Sequence, residues 1–183
     1  MGSDRLGVDG PTDGPPRAVF IAAVVVAVAA VGTVLAIAAT REPTRTPVPI
    51  AAVPAPAAGD PSCTALMKAL PEQLGDYRRA AAAEPVPQGA AAWQADPGTD
   101  PVVLRCGLDR PTDFVVGTPL QMVDEVSWFR VAESDWTTWF AVDRPVYIAL
   151  TLPRDSGPTP IQALSDVIAK TLPARPIAPA PVQ

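Results

Sequence analysis

The stretch PVVLRCGLDRP, residues 101–111, is an apolar, β-branched run that carries one of the two cysteines of this 183-residue chain. β-Branched residues favour strands, and the polar sequences DPGTD and DRPTD on either side favour turns. Because successive strand side chains point to opposite faces, we predict a buried strand with Cys106 facing the core and Arg105 facing away from it. This strand alone does not assign a role to Cys106, which depends on the rest of the sequence.

Further strands are predicted after this one. The last of them alternates apolar residues at Val146, Ile148, Leu150 and Leu152 with other types, which is the period of a strand with one face on a core. The short connection at 143–145 predicts that strands 136–142 and 146–152 form a hairpin. The predicted strands follow the segments PVVLRCGL, MVDEV, SWFRVA, DWTTWFAV and VYIALTLP. We therefore expect a small antiparallel sheet of about four to five strands.

Two helices are predicted at the ends of this region. Asp60 and Pro61 have the types of an N-cap and a first helical residue, and an apolar stripe that includes Cys63 follows them. Near the C-terminus, Thr159 and Gln162 have the spacing of a capping box before a second apolar stripe. Helix, strands in hairpins and helix together predict an α+β domain packed around one sheet.

A long apolar segment near the start, AVFIAAVVVAVAAVGTVLAIAA at 18–39, carries no charge. At about 1.5 Å per residue it spans about 33 Å as a helix, enough for a hydrocarbon core of about 30 Å. It also lacks the polar face of a helix in a soluble domain. We predict a transmembrane helix. Its length favours an uncleaved anchor, although Ala36-Ile37-Ala38 fits a signal-peptide cleavage site that would give a secreted form.

Composition divides the rest of the chain. The proline-rich and alanine-rich segments before and after the predicted domain favour extended chain, because proline fixes φ and lacks an amide donor. The short first segment and the cysteine pair favour a globular domain outside the cytoplasm. We expect a cytoplasmic tail at 1–17, a transmembrane helix at 18–39, a tether at 40–59, an extracytoplasmic domain at 60–173 and a disordered tail at 174–183.

Several function classes are disfavoured by composition. The chain has 14 basic and 19 acidic residues, a net charge of -5, and no basic stripe, so we expect no nucleic-acid partner. It has no histidine, which removes the commonest general base and zinc ligand. Phosphate-loop, dinucleotide and nucleophile-elbow sequences are also missing. We expect no enzyme, no catalytic residues, no cofactor and no metal site.

Two carboxylate pairs, Asp124 with Glu125 and Glu133 with Asp135, are the candidates for hydrolase chemistry. Adjacent residues on a strand face opposite ways, so Asp124 and Glu125 are not expected to cooperate. Glu133 and Asp135 fall in a predicted turn, where acidic residues are common.

The two cysteines are best explained as a pair. With no histidine they cannot complete a four-ligand zinc site without carboxylates, and Cys106 has no evident activating base. Two free buried thiols would suit a cytoplasmic domain. We predict instead a Cys63–Cys106 disulfide, which persists outside the cytoplasm and stabilises the fold by about 4 kcal/mol through the constraint on the unfolded chain.

Several segments together resemble a known family. CTALMKALP, VVLRCGLDRP, VSWF and DWTTWFAVDRPVYIALTLP are similar to the actinobacterial proteins grouped as domain of unknown function 3515. The resemblance covers roughly residues 60–172 and the position of the apolar segment. It implies a membrane-anchored envelope protein and supplies no catalytic or binding residues.

Tryptophans are the remaining candidates for a binding role. Trp93 and Trp139 are predicted as interaction residues, although core packing is the commoner role in a small domain. Trp136 and Trp139 are three apart on one strand and must face opposite sides. Our first hypothesis is a single-pass plasma-membrane protein whose non-enzymatic domain contacts another envelope protein. The alternative is a small-molecule or glycan-binding domain with an aromatic-lined groove.

Overall fold

The structure is a computed structural model that describes residues 17–40 and 46–182, in two units divided between Thr44 and Arg45. The first unit contains helix α1 (Arg17–Thr40). The side chains of Val19–Ile37 are exposed, and this span is long and apolar enough to cross a membrane. A signal sequence near an N-terminus would pass the same test. The predicted tail lies outside the described residues, except for its last residue, Arg17.

The second unit contains an eight-stranded antiparallel sheet. Its strands lie side by side in the order β1-β2-β3-β4-β8-β7-β6-β5. The elements are α2 (Pro61–Ala69), β1 (Gln73–Leu74), β2 (Tyr77–Ala80), β3 (Ala90–Gln94), β4 (Val102–Leu108), β5 (Leu120–Val123), β6 (Val126–Ala132), β7 (Trp136–Ala141), β8 (Tyr147–Pro153) and α3 (Thr159–Thr171). The α+β class is confirmed, whereas the expected four to five strands are too few.

The main core lies between the sheet and the two helices α2 and α3, on the side that we call the inner face. Leu104 and Leu150 from the central strands are fully buried there against Leu66 of α2 and Leu164 of α3. Complete burial of each such side chain contributes about 1.5–3 kcal/mol. The apolar faces predicted for both helices therefore position them on one side of the sheet.

The predicted disulfide is present and joins α2 to the central strand β4. Cys63 and Cys106 are both fully buried, with 5.6 Å between their Cα atoms. Helix α2 begins as predicted, because the Asp60 carboxylate accepts a hydrogen bond from the Ser62 amide at 2.7 Å. This bond also lowers the pKa of Asp60.

Helix α3 begins differently from the prediction. Pro158 occupies the N-cap, and no side chain caps the helix, so the capping box predicted from Thr159 and Gln162 is wrong. The reason is a shift in register: the Gln162 amide donates to the Pro158 carbonyl at 3.2 Å, which makes Thr159 the first helical residue. The helix is held by its packing, where the Trp128 indole donates to the buried Ser165 hydroxyl at 3.0 Å.

The hairpin of β7 and β8 forms as predicted, with Ala141 opposite Ile148. Its connection contains a buried ion pair between Asp143 and Arg144 at 2.9 Å. The other end of the sheet differs, because MVDEV is not one strand. Asp124 and Glu125 form the turn between β5 and β6, where Asp124 has a φ of 51°.

Part of each proline-rich segment, the predicted tether at 40–59 and the predicted tail at 174–183, packs on the domain. Val48 lies between two prolines and is buried, and its backbone pairs with the chain at Ala82. At the other end, Ala180 forms a bridge opposite Val115: its amide donates to the Phe114 carbonyl, and its carbonyl accepts from the Val116 amide, both at 2.9 Å. Proline has no amide donor, so each proline-rich segment has few backbone groups that can pair with the domain. These pairings use some of the groups that remain. The sheet side that receives both segments, opposite α2 and α3, is called the outer face.

Alanine explains why β3 and the end of β2 were not predicted. Ala80, Ala90 and Ala92 point to the outer face of β2 and β3, where Val48 and Ile50 pack on them. Alanine is depleted in strands generally, so a run such as AAAAEPVPQGAAAWQ lacks a strand signal. Here small side chains are required because a second layer of chain lies directly on this part of the sheet.

Candidate binding groove on the outer face

A groove of about 900 Å³ lies on the outer face of the sheet. The extended segment 46–53, which we call the N-terminal strap, forms one wall, and the start of β7 forms the other. Strands β4 and β8 provide the floor. The lining side chains include Pro47, Val53, Gln94, Asp100, Arg105, Glu133, Trp136, Thr138 and Thr151.

Two rows of residues on neighbouring strands form the floor of the groove and leave it concave. In the first row, Arg105 lies between Ala90 of β3 and Ala149 of β8, so that small residues surround one long cation. In the second row, Thr138 and Thr151 face each other with their hydroxyls 3.2 Å apart. The strap covers only the β2–β4 end of this face. The groove lies where these two rows remain uncovered, between the strap and β7.

Arg105 is the principal charged group of the floor. Its Nη2 donates to the Ala51 carbonyl of the strap at 3.3 Å, while its Nε is buried without a hydrogen-bond partner. No carboxylate among the described residues forms an ion pair with it. Burial in these surroundings lowers the pKa of the Arg105 guanidinium. A half-buried cation without a counter-ion is unfavourable and therefore marks a site where an anionic group would be stabilised.

Gln94 adds a second incompletely satisfied group to the groove. It is 7% exposed, and its amide nitrogen donates to the Thr99 carbonyl at 2.6 Å. Its Oε1 is buried without a partner. Such groups are uncommon in folded proteins, so two of them lining the same groove set this part of the surface apart.

The groove is apolar along much of its wall and acidic at its margins. Trp136 is half-buried, whereas Glu133 and Asp100 are exposed. A neighbouring depression of about 390 Å³ also contains Arg105 and continues past Phe140 to Asp109. The two depressions share Arg105, which lies between acidic residues that line their different parts.

The sequence predicted Trp93 and Trp139 as interaction residues, and the structure separates them. Trp93 is fully buried, its indole donates to the Pro71 carbonyl at 2.8 Å, and the Arg79 guanidinium lies 4.7 Å from its ring. Trp93 is thus a core residue and leaves no exposed surface for a partner in this fold.

Trp139 packs against the core from the inner face, opposite to Trp136 as alternation predicts. It is half-buried and lines a separate pocket of about 360 Å³ that also contains Arg130 and Arg154. The Arg130 guanidinium lies 5.7 Å from its ring. Trp139 therefore reaches a pocket, although not the outer-face groove.

Sequence reasoning did not select Arg105 or Gln94 as site residues. The available signal was a single charge inside the apolar run PVVLRCGL, on the side opposite to Cys106. That pattern indicates that the outer face of a central strand is not simply buried. Among the described residues, no group of three or more histidine, cysteine or acidic side chains is arranged to hold a metal ion.

The fold and groove define an α+β domain with helices on one sheet face and an open groove on the other. Residues 24–177 match the sequence profile of a family described as protein of unknown function (DUF3515). The chain belongs to that family. No curated protein and no solved structure matches the chain.

Proposed function

We propose that this chain is a single-pass plasma-membrane protein of an actinobacterial cell envelope that acts by binding another envelope protein. In this proposal α1 is an uncleaved anchor, and the domain that follows lies outside the cytoplasm. Two features support this location: the exposed apolar surface of α1, and a disulfide of the kind that persists in oxidising compartments. A secreted form after cleavage is the alternative for α1.

The observation that carries the binding role is the outer-face groove. It combines an exposed cleft with the half-buried Trp136 and a cation, Arg105, that has no counter-ion among the described residues. Aromatic and arginine side chains dominate the energetics of protein interfaces. A non-catalytic role is proposed because Trp136 and Arg105 can hold and orient a partner, whereas neither side chain is a usual nucleophile or general base.

A small-molecule or glycan ligand is the second candidate, and the Trp139 pocket favours it. That pocket is smaller, and two guanidinium groups, from Arg130 and Arg154, line it beside the indole. An aromatic wall with convergent polar groups is typical of small-ligand sites. The outer-face groove is preferred for the main function because it is larger and extends along the sheet.

Photocrosslinking in native membranes tests the main proposal. The full-length chain would carry benzoylphenylalanine in place of Trp136, or, as the control, in place of Met122, which is 73% exposed on edge strand β5. We expect a discrete protein adduct from position 136 and not from position 122. Equal labelling at both positions, or no protein adduct at position 136, would contradict a binding role for the groove.

A further inference from the structure

We propose that the outer-face groove binds an extended peptide segment of its protein partner and that Arg105 pairs with a carboxylate of that segment. This inference rests on the proposed function and specifies what the groove recognises. It depends on the charge state of the groove, on the shape of its floor and on the way in which the strap already occupies the neighbouring surface.

The first step is a comparison of the arginines that are not fully solvated. Arg144 is buried and pairs with Asp143 at 2.9 Å, and Arg79 lies against the ring of Trp93. Arg105 has neither kind of partner among the described residues, and it makes one hydrogen bond, to a neutral carbonyl. Because guanidinium and carboxylate form strong, charge-assisted hydrogen bonds, a carboxylate would supply what the fold leaves missing.

The second step is the choice between a carboxylate and a doubly charged group. Asp100 and Glu133 line the same groove as Arg105, and Asp109 lines its continuation. A phosphate monoester, with a charge near -2, would meet one cation and several carboxylates. The single charge of a carboxylate is neutralised by Arg105 alone, and these acidic groups repel a carboxylate less than they repel a phosphate monoester.

The third step is the form of the ligand. The strap shows which kind of chain fits this face, because Val48 and Ile50 of an extended proline-rich segment pack on Ala80, Ala90 and Ala92. The small-residue surface continues beside the strap through Ala149 and Thr151 of β8. An extended peptide with small apolar side chains could lie there in the same manner, with an acidic side chain placed over Arg105.

The inference can be tested by selection from a phage library of random dodecapeptides on the full-length protein in nanodiscs. The expected pool is enriched in peptides with one aspartate or glutamate among small apolar residues. Arg105→Glu should instead enrich peptides with lysine or arginine at that place. Lys68→Gln, which removes one positive charge from an exposed position on α2, on the inner-face side, should select the same acidic peptides as the wild type.

A double-mutant cycle on one selected peptide separates recognition from folding. We expect replacement of the peptide's acidic residue by its amide to weaken binding to the wild type about tenfold or more, and to have little effect on Arg105→Gln. Thermal unfolding of each variant in nanodiscs serves as the folding control. A structural role of Arg105 in holding the strap would weaken both peptides equally and would not produce this coupling.

The outcomes distinguish the two proposals. Peptides that bind at the groove without any acidic preference, or with a preference that Arg105→Gln retains, would overturn the carboxylate inference and leave the binding function standing. A failure to select any peptide would also overturn it, while a partner crosslinked at position 136 would still support the groove. Absence of that crosslink is the result that removes the proposed function itself.

Discussion

Gly107 allows the chain to pass close to the central strand, at the point where the β4–β8 register shifts. Its φ is +86°, and an added Cβ would overlap the backbone of Ala57 and Ala58. The Ala57 amide donates to the Gly107 carbonyl at 3.0 Å, so the close approach is also a backbone hydrogen bond. The residue that follows Cys106 thus determines how the segment leading into α2 reaches the sheet.

We predict that Gly107→Ala lowers the free energy of unfolding by about 3 kcal/mol or more, because it combines an unfavourable φ with a steric overlap. Gly98→Ala is the matched control: its φ is +83°, and nothing lies within 4 Å of the added Cβ. The control should cost only about 1–2 kcal/mol. Urea unfolding of the oxidised full-length chain measures both, and equal losses would disprove a packing requirement at Gly107.

A second residue-scale prediction concerns the hydrogen bond between Trp128 and Ser165. Ser165→Ala should destabilise the domain by about 1–3 kcal/mol, because the indole N–H is left buried without an acceptor. Ser134→Ala, in the exposed β6–β7 turn, should change stability by less than about 0.5 kcal/mol. Denaturant unfolding provides the comparison, and a neutral Ser165→Ala would show that the bond is not needed.

At this scale, alternation alone predicted several orientations correctly. It put Cys106 and Arg105 on opposite faces and did the same for Trp136 and Trp139. It did not distinguish the burial of Trp93, because that burial depends on Pro71 and Arg79, which come from other parts of the chain. The lack of an ion-pair partner for Arg105 among the residues that the structure describes is likewise visible only once its neighbours are known.

At the scale of elements, strands with β-branched or aromatic residues were predictable and strands rich in alanine were not. β8 has a clear period of two, whereas β3 reads AAAWQ and every one of its residues is buried. Ala90 and Ala92 are small where the strap packs on them, which is a long-range contact, whereas Ala91 faces the main core. The strap lies within the proline-rich segment predicted as a tether at 40–59, so the missed alanine-rich strand and the docked strap depend on the same contact.

We predict that Val48→Asp releases the strap from the sheet, because it places a carboxylate at a position that is 3% exposed. The Ala83 amide donates to the Val48 carbonyl at 2.8 Å, so its hydrogen exchange should accelerate, while the Cys106 amide, which bonds Gly89, should exchange at the wild-type rate. Val53→Asp, at a residue that is 46% exposed, is the control. Unchanged exchange at Ala83 in Val48→Asp would argue against a docked strap.

At the scale of the whole molecule, the sequence predicted the long apolar helix near the start, the α+β class and the cysteine pair. The predictions of the apolar helix and of the cysteine pair use local composition and residue counts, which do not depend on the fold. The number of strands and the groove depend on how distant segments stack on the outer face. For this reason the groove could be found only from the structure.

Thiol labelling provides a prediction for the compartment of the domain. If the domain lies outside the cytoplasm, denatured extracts of cells expressing the full-length chain should take up a maleimide reagent at both cysteines only after reduction. Cys63→Ser leaves Cys106 without its partner, so this variant should be labelled without reductant. Labelling of both cysteines in the unreduced wild type would contradict the proposed location.

The disulfide also determines how the domain would respond to a mechanical load. Cys63 lies shortly after the strap, and Cys106 lies in β4, at the centre of the sheet. Tension applied at Thr46 would first peel the strap and then reach the covalent link at Cys63. From there the force would pass directly to β4, and the chain between the two cysteines would carry none of it. The part of α2 that follows Cys63 and strands β1–β3 are thereby shielded from a pull exerted through the N-terminal side.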